Sequence, residues 1–369
     1  MSLRHDKLAA WYARHARDLP WRRNPEPYET WVSEIMLQQT RVEAVREKYE
    51  HFMRRFPNVK LLAATRLEDV LQAWSGLGYY RRARMLHAAA KQIAKGGFPD
   101  TVAGLRVLPG IGRYTAGAIA SIALGQRVPI VDGNIERVFS RWHGITRDIK
   151  SAAAQRQLWK LADEWVAHEA YPPATLNQAL MELGALVCTP KAPGCGRCPV
   201  AKHCFAAQHG DPESLPRLAA RKPARDVQYL AVAATDPGGY ILMVRRPEDD
   251  NSSLLPGGLW ELPHAARTTD DVALAGKIAR QHGVRLAQAT ANAGKVRHSI
   301  MDARVTITLT AAGVKRTKVN TSQRWFTPAE AEAAAASSAT RKLLALWRGV
   351  ARDLPVAKMR AGTIPKESI

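Results

Sequence analysis

The sequence predicts a multi-domain chain, with an all-α first domain followed by an α+β second domain. Three observations predict it. Apolar residues recur at helical spacing through roughly the first two hundred positions. All four cysteines fall in one short segment, 188–204, that closes this region. Beyond it the pattern changes to short alternating runs mixed with helical ones. A length of 369 residues agrees with two domains at ~150 residues each.

Taken in order, Trp31, Ile35, Val42, Val45, Tyr49 and Phe52 share one side of a helical wheel. Leu61, Leu62, Leu67, Val70, Leu71 and Trp74 continue the pattern, then Leu86, Ala90 and Ile93, then 116–124, then Leu158, Leu161 and Trp165, then 176–187. Only Val128–Asp132 reads as a short strand. The stretch 206–226, with Pro212, Pro216 and Pro223, reads as a linker. Tyr229–Ala234 and Tyr240–Val244 flank Pro237-Gly238-Gly239 and predict a hairpin. A helix is expected over 269–282, and a strand over 304–311 with Val305, Ile307 and Leu309 on one face. Helices are expected over 329–336 and 341–347. The domains are therefore expected at 1–205 and 227–354, with a flexible tail from 355.

The charge narrows the partner. Lys and Arg number 54 against 33 Asp and Glu, a net charge of +21. Such an excess attracts polyanions, nucleic acid first among them. At 46 % hydrophobic residues the chain is not a disordered polybasic tail. No apolar run reaches the ~18 residues of a membrane span. Arg4, His5, Asp6, Lys7, Arg14 and Arg17 interrupt any signal-peptide core. A cytoplasmic monomer is expected.

The cysteines follow C-x6-C-x2-C-x5-C, at Cys188, Cys195, Cys198 and Cys204. Four thiols in one loop point to a shared ligand rather than to disulfides. Zinc sites usually pair two C-x2-C knuckles. One knuckle with unequal arms suits a [4Fe–4S] cubane, where each thiolate meets a different iron. A structural zinc knuckle is the alternative. Lys191, Arg197 and Lys202 lie between the ligands, so the loop presents cations outward.

Leu108-Pro109-Gly110-Ile111-Gly112-Arg113 reads as a turn between two helices. Gly110 and Gly112 let the backbone approach a partner and take φ > 0. The free N–H groups of the following helix then face the turn, as a phosphate-binding hairpin requires. An ordinary αα-turn is the bland alternative. About twenty residues on, Asp132 precedes Gly133 and Asn134, and Asn134 is placed to cap the next helix.

This hairpin, the aspartate and the cysteine spacing together resemble the helix-hairpin-helix DNA glycosylase superfamily, in its iron–sulfur branch. The resemblance covers most of residues 1–205. Endonuclease III-like members carry a lysine after the hairpin that forms a Schiff base, and here the matching residue is Tyr114. A phenol forms no imine, which implies a monofunctional glycosylase with water as final nucleophile. The string Ser33-Glu34-Ile35-Met36-Leu37-Gln38-Gln39-Thr40 resembles MutY-like adenine glycosylases, as do Leu19-Pro20-Trp21-Arg22 and Gly76-Leu77-Gly78-Tyr79-Tyr80. Thr40 and Glu43 have capping-box spacing, which places Gln38 and Gln39 at a helix junction suited to entering a base stack. By resemblance, Tyr79 wedges opposite the extruded base. Trp21, Arg22, Gln38, Gln39, Thr40, Leu77, Tyr79, Gly110, Gly112, Arg113 and Gln178 are the expected DNA or substrate contacts.

The resemblance makes Glu34 the catalytic acid. In an apolar pocket its pKa would rise, keeping a proton to place on adenine N7. Ionised Asp132 would then stabilise or trap the oxocarbenium-like sugar. Tyr114 and Asn134 would position these groups, on a nucleotide turned out of double-stranded DNA at a mispaired adenine.

Leu254–Pro263 resembles the Nudix-like C-terminal domain of MutY-like enzymes. The metal-carboxylate positions of true Nudix hydrolases fall on Lys277, Arg280 and Gln281, and the two cations cannot ligate Mg²⁺, so the resemblance implies a reader rather than a pyrophosphohydrolase. A Phe-Ser-His loop expected after Arg297-His298 is replaced by Ser299, Ile300, Met301 and Asp302. A thymine or uracil mismatch glycosylase and a non-catalytic iron–sulfur DNA-binding protein are the alternative readings.

Overall fold

The computed structural model describes residues 2–219, 223–250, 252–300 and 302–351. Contacts divide the chain into two compact units, with the division between 221 and 222.

The first unit is helical. Its long helices are Ser2–His15, Pro27–Leu37, Val42–Arg55, Tyr80–Gly96, Gly133–His143, Ala152–Val166 and Pro173–Leu186. Pro27 and Pro173 sit in first turns, where a missing N–H costs nothing. Trp31 and Trp74 are fully buried, and Phe52 packs edge-on between Phe56 and Trp74. A second cluster joins Leu8, Phe139, Leu158, Leu180 and Leu183. Each such side chain contributes about 1.5–3 kcal/mol when buried.

Three details depart from expectation. No strand forms at 128–132; Ile130 and Val131 are buried, but a helical unit offers them no partner strand. The Thr40/Glu43 capping box does not form: the helix starts at Val42, and Arg41 at its N-cap makes no side-chain cap bond. Part of the expected linker is structured. Leu215 is buried, its carbonyl accepts from Arg141 Nε at 2.9 Å, and the Arg217 carbonyl accepts from the Ile149 amide at 2.9 Å.

The second unit is a seven-stranded mixed sheet flanked by helices. Its strands are β1 (Arg225–Thr235), β2 (Ile241–Arg245), β3 (Trp260–Glu261), β4 (His264–Ala266), β5 (Leu286–Ile300), β6 (Ala303–Val314) and β7 (Gln323–Phe326). The order is β3-β2-β1-β6-β5, with β4 on β1 and β7 on β2. Strands β1 and β6 run parallel over eleven paired residues, from Arg225↔Ala303 to Thr235↔Gly313. Alternation sorts the faces. Tyr229, Ala231 and Ala233 join Val305, Ile307, Leu309 and Trp347 in one core, while Leu230 and Val232 meet Leu274 and Ile278 in the other. The expected hairpin is β1–β2, closed by Thr235↔Ile241. Helices Asp271–Gln281, Pro328–Ala333 and Ser338–Ala351 fall where helical spacing is seen. No described helix is long and apolar enough to cross a membrane. The expected tail from 355 lies outside the described residues.

Candidate active site

A cavity of about 760 Å³ opens in the first unit. Glu34, Tyr114, Asp132 and Asn134 all line it, brought together from three helices. So do Trp21, Arg22, Gln38, Gln39, Thr40, Gly110, Gly112, Arg113 and Gln178. Of the contacts expected from the sequence, Leu77 and Tyr79 lie off this wall. Leu77 is buried, whereas Tyr79 is 53 % exposed and sits in the left-handed region at φ 46°.

Glu34 lies on a helix buried all round from Thr30 to Met36 and is only 6 % exposed. The Tyr114 hydroxyl donates to its Oε2 at 2.6 Å. Burial pushes the Glu34 carboxyl up to about 7, with the Tyr114 bond pulling down and the Asp132 charge pushing up. Such a group holds or releases a proton near neutrality. Burial likewise raises the Tyr114 phenol, so it stays a donor.

Asp132 is the N-cap of the Gly133–His143 helix and accepts from the Ile135 amide at 2.8 Å. This corrects the expectation that Asn134 caps. Asn134 instead donates its Nδ2 to Asp132 Oδ2 at 2.8 Å. Its own Oδ1 accepts from Arg137 Nη2 at 2.8 Å, which fixes which way the amide points. Burial raises the Asp132 carboxyl above its ordinary value, and these donors oppose the rise. Gly184 lets the neighbouring helix come this close: a Cβ there would stand 2.6 Å from the Asn134 Cβ.

The hairpin turns as expected at Gly110, φ +78°, with the Met85 Cβ 2.8 Å from where a Cβ would sit. Gly112 is extended instead, and serves as N-cap of the Arg113–Ala118 helix. The exposed Arg113 guanidinium stacks 3.6 Å above the centre of the Trp159 ring. The Gln38–Gln39 junction also forms: the helix ends at Leu37, Gln39 is exposed at φ 54°, and Gln38 Nε2 reaches Thr115 Oγ1 at 3.4 Å.

Sequence reasoning missed Glu182. Its fully buried carboxylate lines the cavity and binds Arg17 Nε at 2.8 Å and Arg22 Nη2 at 2.9 Å. Burial alone would raise it, but the bonds from Arg17 and Arg22 outweigh that and hold it at about 2. Arg22 therefore faces the cavity already paired. No spacing rule links partners 160 residues apart.

A family model described as HhH-GPD superfamily base excision DNA repair protein matches residues 32–164, and a NUDIX domain model matches 230–346. The human adenine DNA glycosylase is 36 % identical, across 93 % of this chain and 73 % of that one. The mouse adenine DNA glycosylase is 33 % identical, across 98 % and 81 %. The chain belongs to the adenine DNA glycosylase family. Among solved structures, a thermostable thymine-DNA glycosylase is similar at a TM-score of 0.51 and 25 % identity, over 56 % of this chain and 96 % of that one.

For a member of the adenine DNA glycosylase family, the cysteine loop is the second place to look. Cys188, Cys195, Cys198 and Cys204 line one small cavity beside Arg141 and Trp142. Among the described residues, no three metal-binding groups are placed as for one metal ion. Arg141, 1 % exposed, donates to Cys188 Sγ at 3.3 Å and to the carbonyls of Thr189 and Pro190. A buried guanidinium that meets sulfur and carbonyls calls for negative charge, which four cysteine thiolates would supply if they bound a cluster. The donor set fits a cluster. Lys191, Arg197 and Lys202 face solvent, as expected.

In the second unit Lys277 and Arg280 are exposed. Asp302 pairs with Arg225 at 3.2 Å, so its charge is answered within the protein. Ser299 is exposed, and Met301 lies outside the described residues.

Proposed function

We propose that this chain removes adenine mispaired with 8-oxoguanine or guanine in double-stranded DNA, by hydrolysing the N-glycosidic bond of a nucleotide turned out of the helix. One observation carries the reading: a buried Glu34 poised near pH 7, bound by Tyr114 at 2.6 Å, on the same cavity wall as Asp132. Protonated Glu34 donates to adenine N7, so the base leaves neutral. Asp132, held by Ile135 and Asn134, answers the positive charge left on the sugar. Glu34, now ionised, takes the proton of the attacking water. Tyr114 cannot form an imine, so no strand cleavage follows through a Schiff base.

Cys188, Cys195, Cys198 and Cys204 would hold the [4Fe–4S] cluster, which supplies a rigid, negatively charged centre for the loop. Gly110 and the helix start at Arg113 would meet phosphate.

The test is base release from duplexes carrying A:8-oxoguanine, A:G, T:G and U:G. Adenine release alone is expected. Release of thymine or uracil instead, or binding with no release, refutes the proposal. The Cys198→Ala protein should lose iron in metal analysis; a wild-type protein containing zinc and no iron refutes the cluster.

A further inference from the structure

Among the non-glycine residues described, three have left-handed backbone: Gln39, Tyr79 and Ala192. The first two belong to separate elements, the junction after the Glu34 helix and the loop that opens the Tyr80–Gly96 helix. Such conformations persist only where the surroundings over-determine them. Two side chains touch both elements: Thr40, whose hydroxyl donates to the Leu77 carbonyl at 3.4 Å, and Arg82, which makes most of the contacts.

Arg82, two residues into the Tyr80–Gly96 helix, directs its guanidinium between them. Nη1 donates to the carbonyls of Ile35 at 2.7 Å, Met36 at 3.1 Å and Gln38. Nη2 donates to Thr40 Oγ1 and the Leu77 carbonyl, each at 3.1 Å, and to the Gly78 carbonyl at 3.4 Å. The cation also lies 5.6 Å from the Trp74 ring centre and 5.2 Å from that of Tyr79. The Thr40 hydroxyl is held here, which is why it caps no helix. The Ile35 and Met36 carbonyls are at the C-terminal end of the Glu34 helix, where positive charge is favoured.

We propose that Arg82 is a positioning residue that locks the Gln38–Gln39 junction to the Tyr79 loop, so that both enter the base stack as one rigid wedge. This rests on the reading of those residues as the wedge. Only arginine suits the place. Its planar fork serves carbonyls on two elements with the cation close to two aromatic rings, and a lysine ammonium offers three donors and no plane. Burial lowers the Arg82 pKa to about 10, which leaves it cationic at neutral pH.

The experiment uses the full chain and a duplex with 2-aminopurine in place of the mispaired adenine, whose fluorescence rises on extrusion. Arg82→Lys should slow that rise, and single-turnover adenine release from a second duplex that keeps the mispaired adenine, by about 10- to 100-fold, since misplacement near 1 Å costs that much. In a Tyr79→Ala background the same substitution should slow extrusion less than about threefold, because residues acting through one contact are not additive. A lock of purely structural effect would instead slow both backgrounds equally, and that result overturns the proposal. So does wild-type extrusion by Arg82→Lys while Tyr79→Ala and Gln39→Ala are slow. If Tyr79→Ala and Gln39→Ala both extrude normally, the wedge reading itself fails and takes the lock with it. Should Arg82→Lys not fold, Thr40→Val removes one acceptor, and the same cycle is run with a slowing of about threefold expected.

Discussion

Replacing Glu34 with glutamine should abolish adenine release and stabilise the protein, and the stabilisation should depend on pH in one direction. The Glu34 carboxyl titrates at about 7 in the folded chain against an ordinary 4.5. Between those values the unfolded chain has lost a proton that the folded chain keeps. Stability therefore falls as pH rises from 4.5 towards 7, and the whole cost is present above 7. A difference near 2.5 units corresponds to about 3 kcal/mol at about 1.4 kcal/mol per unit. Glutamine resembles the protonated acid at every pH, and its carbonyl can still accept from Tyr114. The variant and wild type should thus match near pH 4.5, and the variant should be ahead by about 3 kcal/mol at pH 8. For a unit of this size that is roughly 6–12 °C in Tm. Thermal unfolding of both proteins at pH 5 and pH 8 measures it. A gap that is equal at the two pH values, or a variant less stable at pH 8, would refute the argument that burial holds Glu34 protonated.

Tyr114→Phe removes a hydrogen bond that favours the ionised Glu34, so the alkaline limb of the pH profile for adenine release should move up by about 1 unit; an unmoved or lowered limb counts against the assignment. Glu182→Gln leaves Arg17 and Arg22 with no carboxylate at this buried contact and should cost about 3–5 kcal/mol in urea unfolding at pH 7. Because Glu182 titrates at about 2, that loss should fade as pH falls from 4.5 towards 2. Gly184→Ala forces a methyl towards Asn134 and should cost about 1–3 kcal/mol while lowering kcat more than substrate binding, read from single-turnover rates and titrations.

The helical unit and the cysteine loop were legible as local patterns, whereas Glu34, Tyr114 and Asp132 stood out only through the family resemblance of the strings that hold them. A helix shows its period, and the cysteines lie within seventeen consecutive positions, 188–204. What was illegible depends on partners distant in sequence. Thr40 and Glu43 have the spacing of a cap, but Arg82, forty-two residues on, claims the Thr40 hydroxyl. Asn134 has the chemistry of a cap, but Asp132 takes that place, and Arg137 turns the Asn134 amide to serve it. Val128–Asp132 has the composition of a strand, but a strand needs an edge to join. In the second unit the alternation of β6 was plain, whereas its eleven-residue parallel pairing with β1 joins positions seventy-eight apart and leaves no local mark.

The net charge of +21 suggests a site filled with cations, and the cavity shows how that is avoided. Two arginines reach its wall near Glu34, yet Glu182 binds both with a carboxylate held at about 2. Arg113 stacks on Trp159 at the hairpin, and Arg137 is spent on Asn134 and the carbonyls of Gly184 and Cys188. A free guanidinium beside Glu34 would pull its pKa down, and with it the proton that the proposed mechanism gives to the base. Arg22 still draws the Glu34 pKa down, but burial outweighs it and holds Glu34 near 7, while Glu182 gives the Arg22 guanidinium a carboxylate partner at the pocket wall. A strongly cationic chain thus coexists with a buried carboxyl whose neighbouring cavity arginines, Arg17 and Arg22, already have a partner in Glu182.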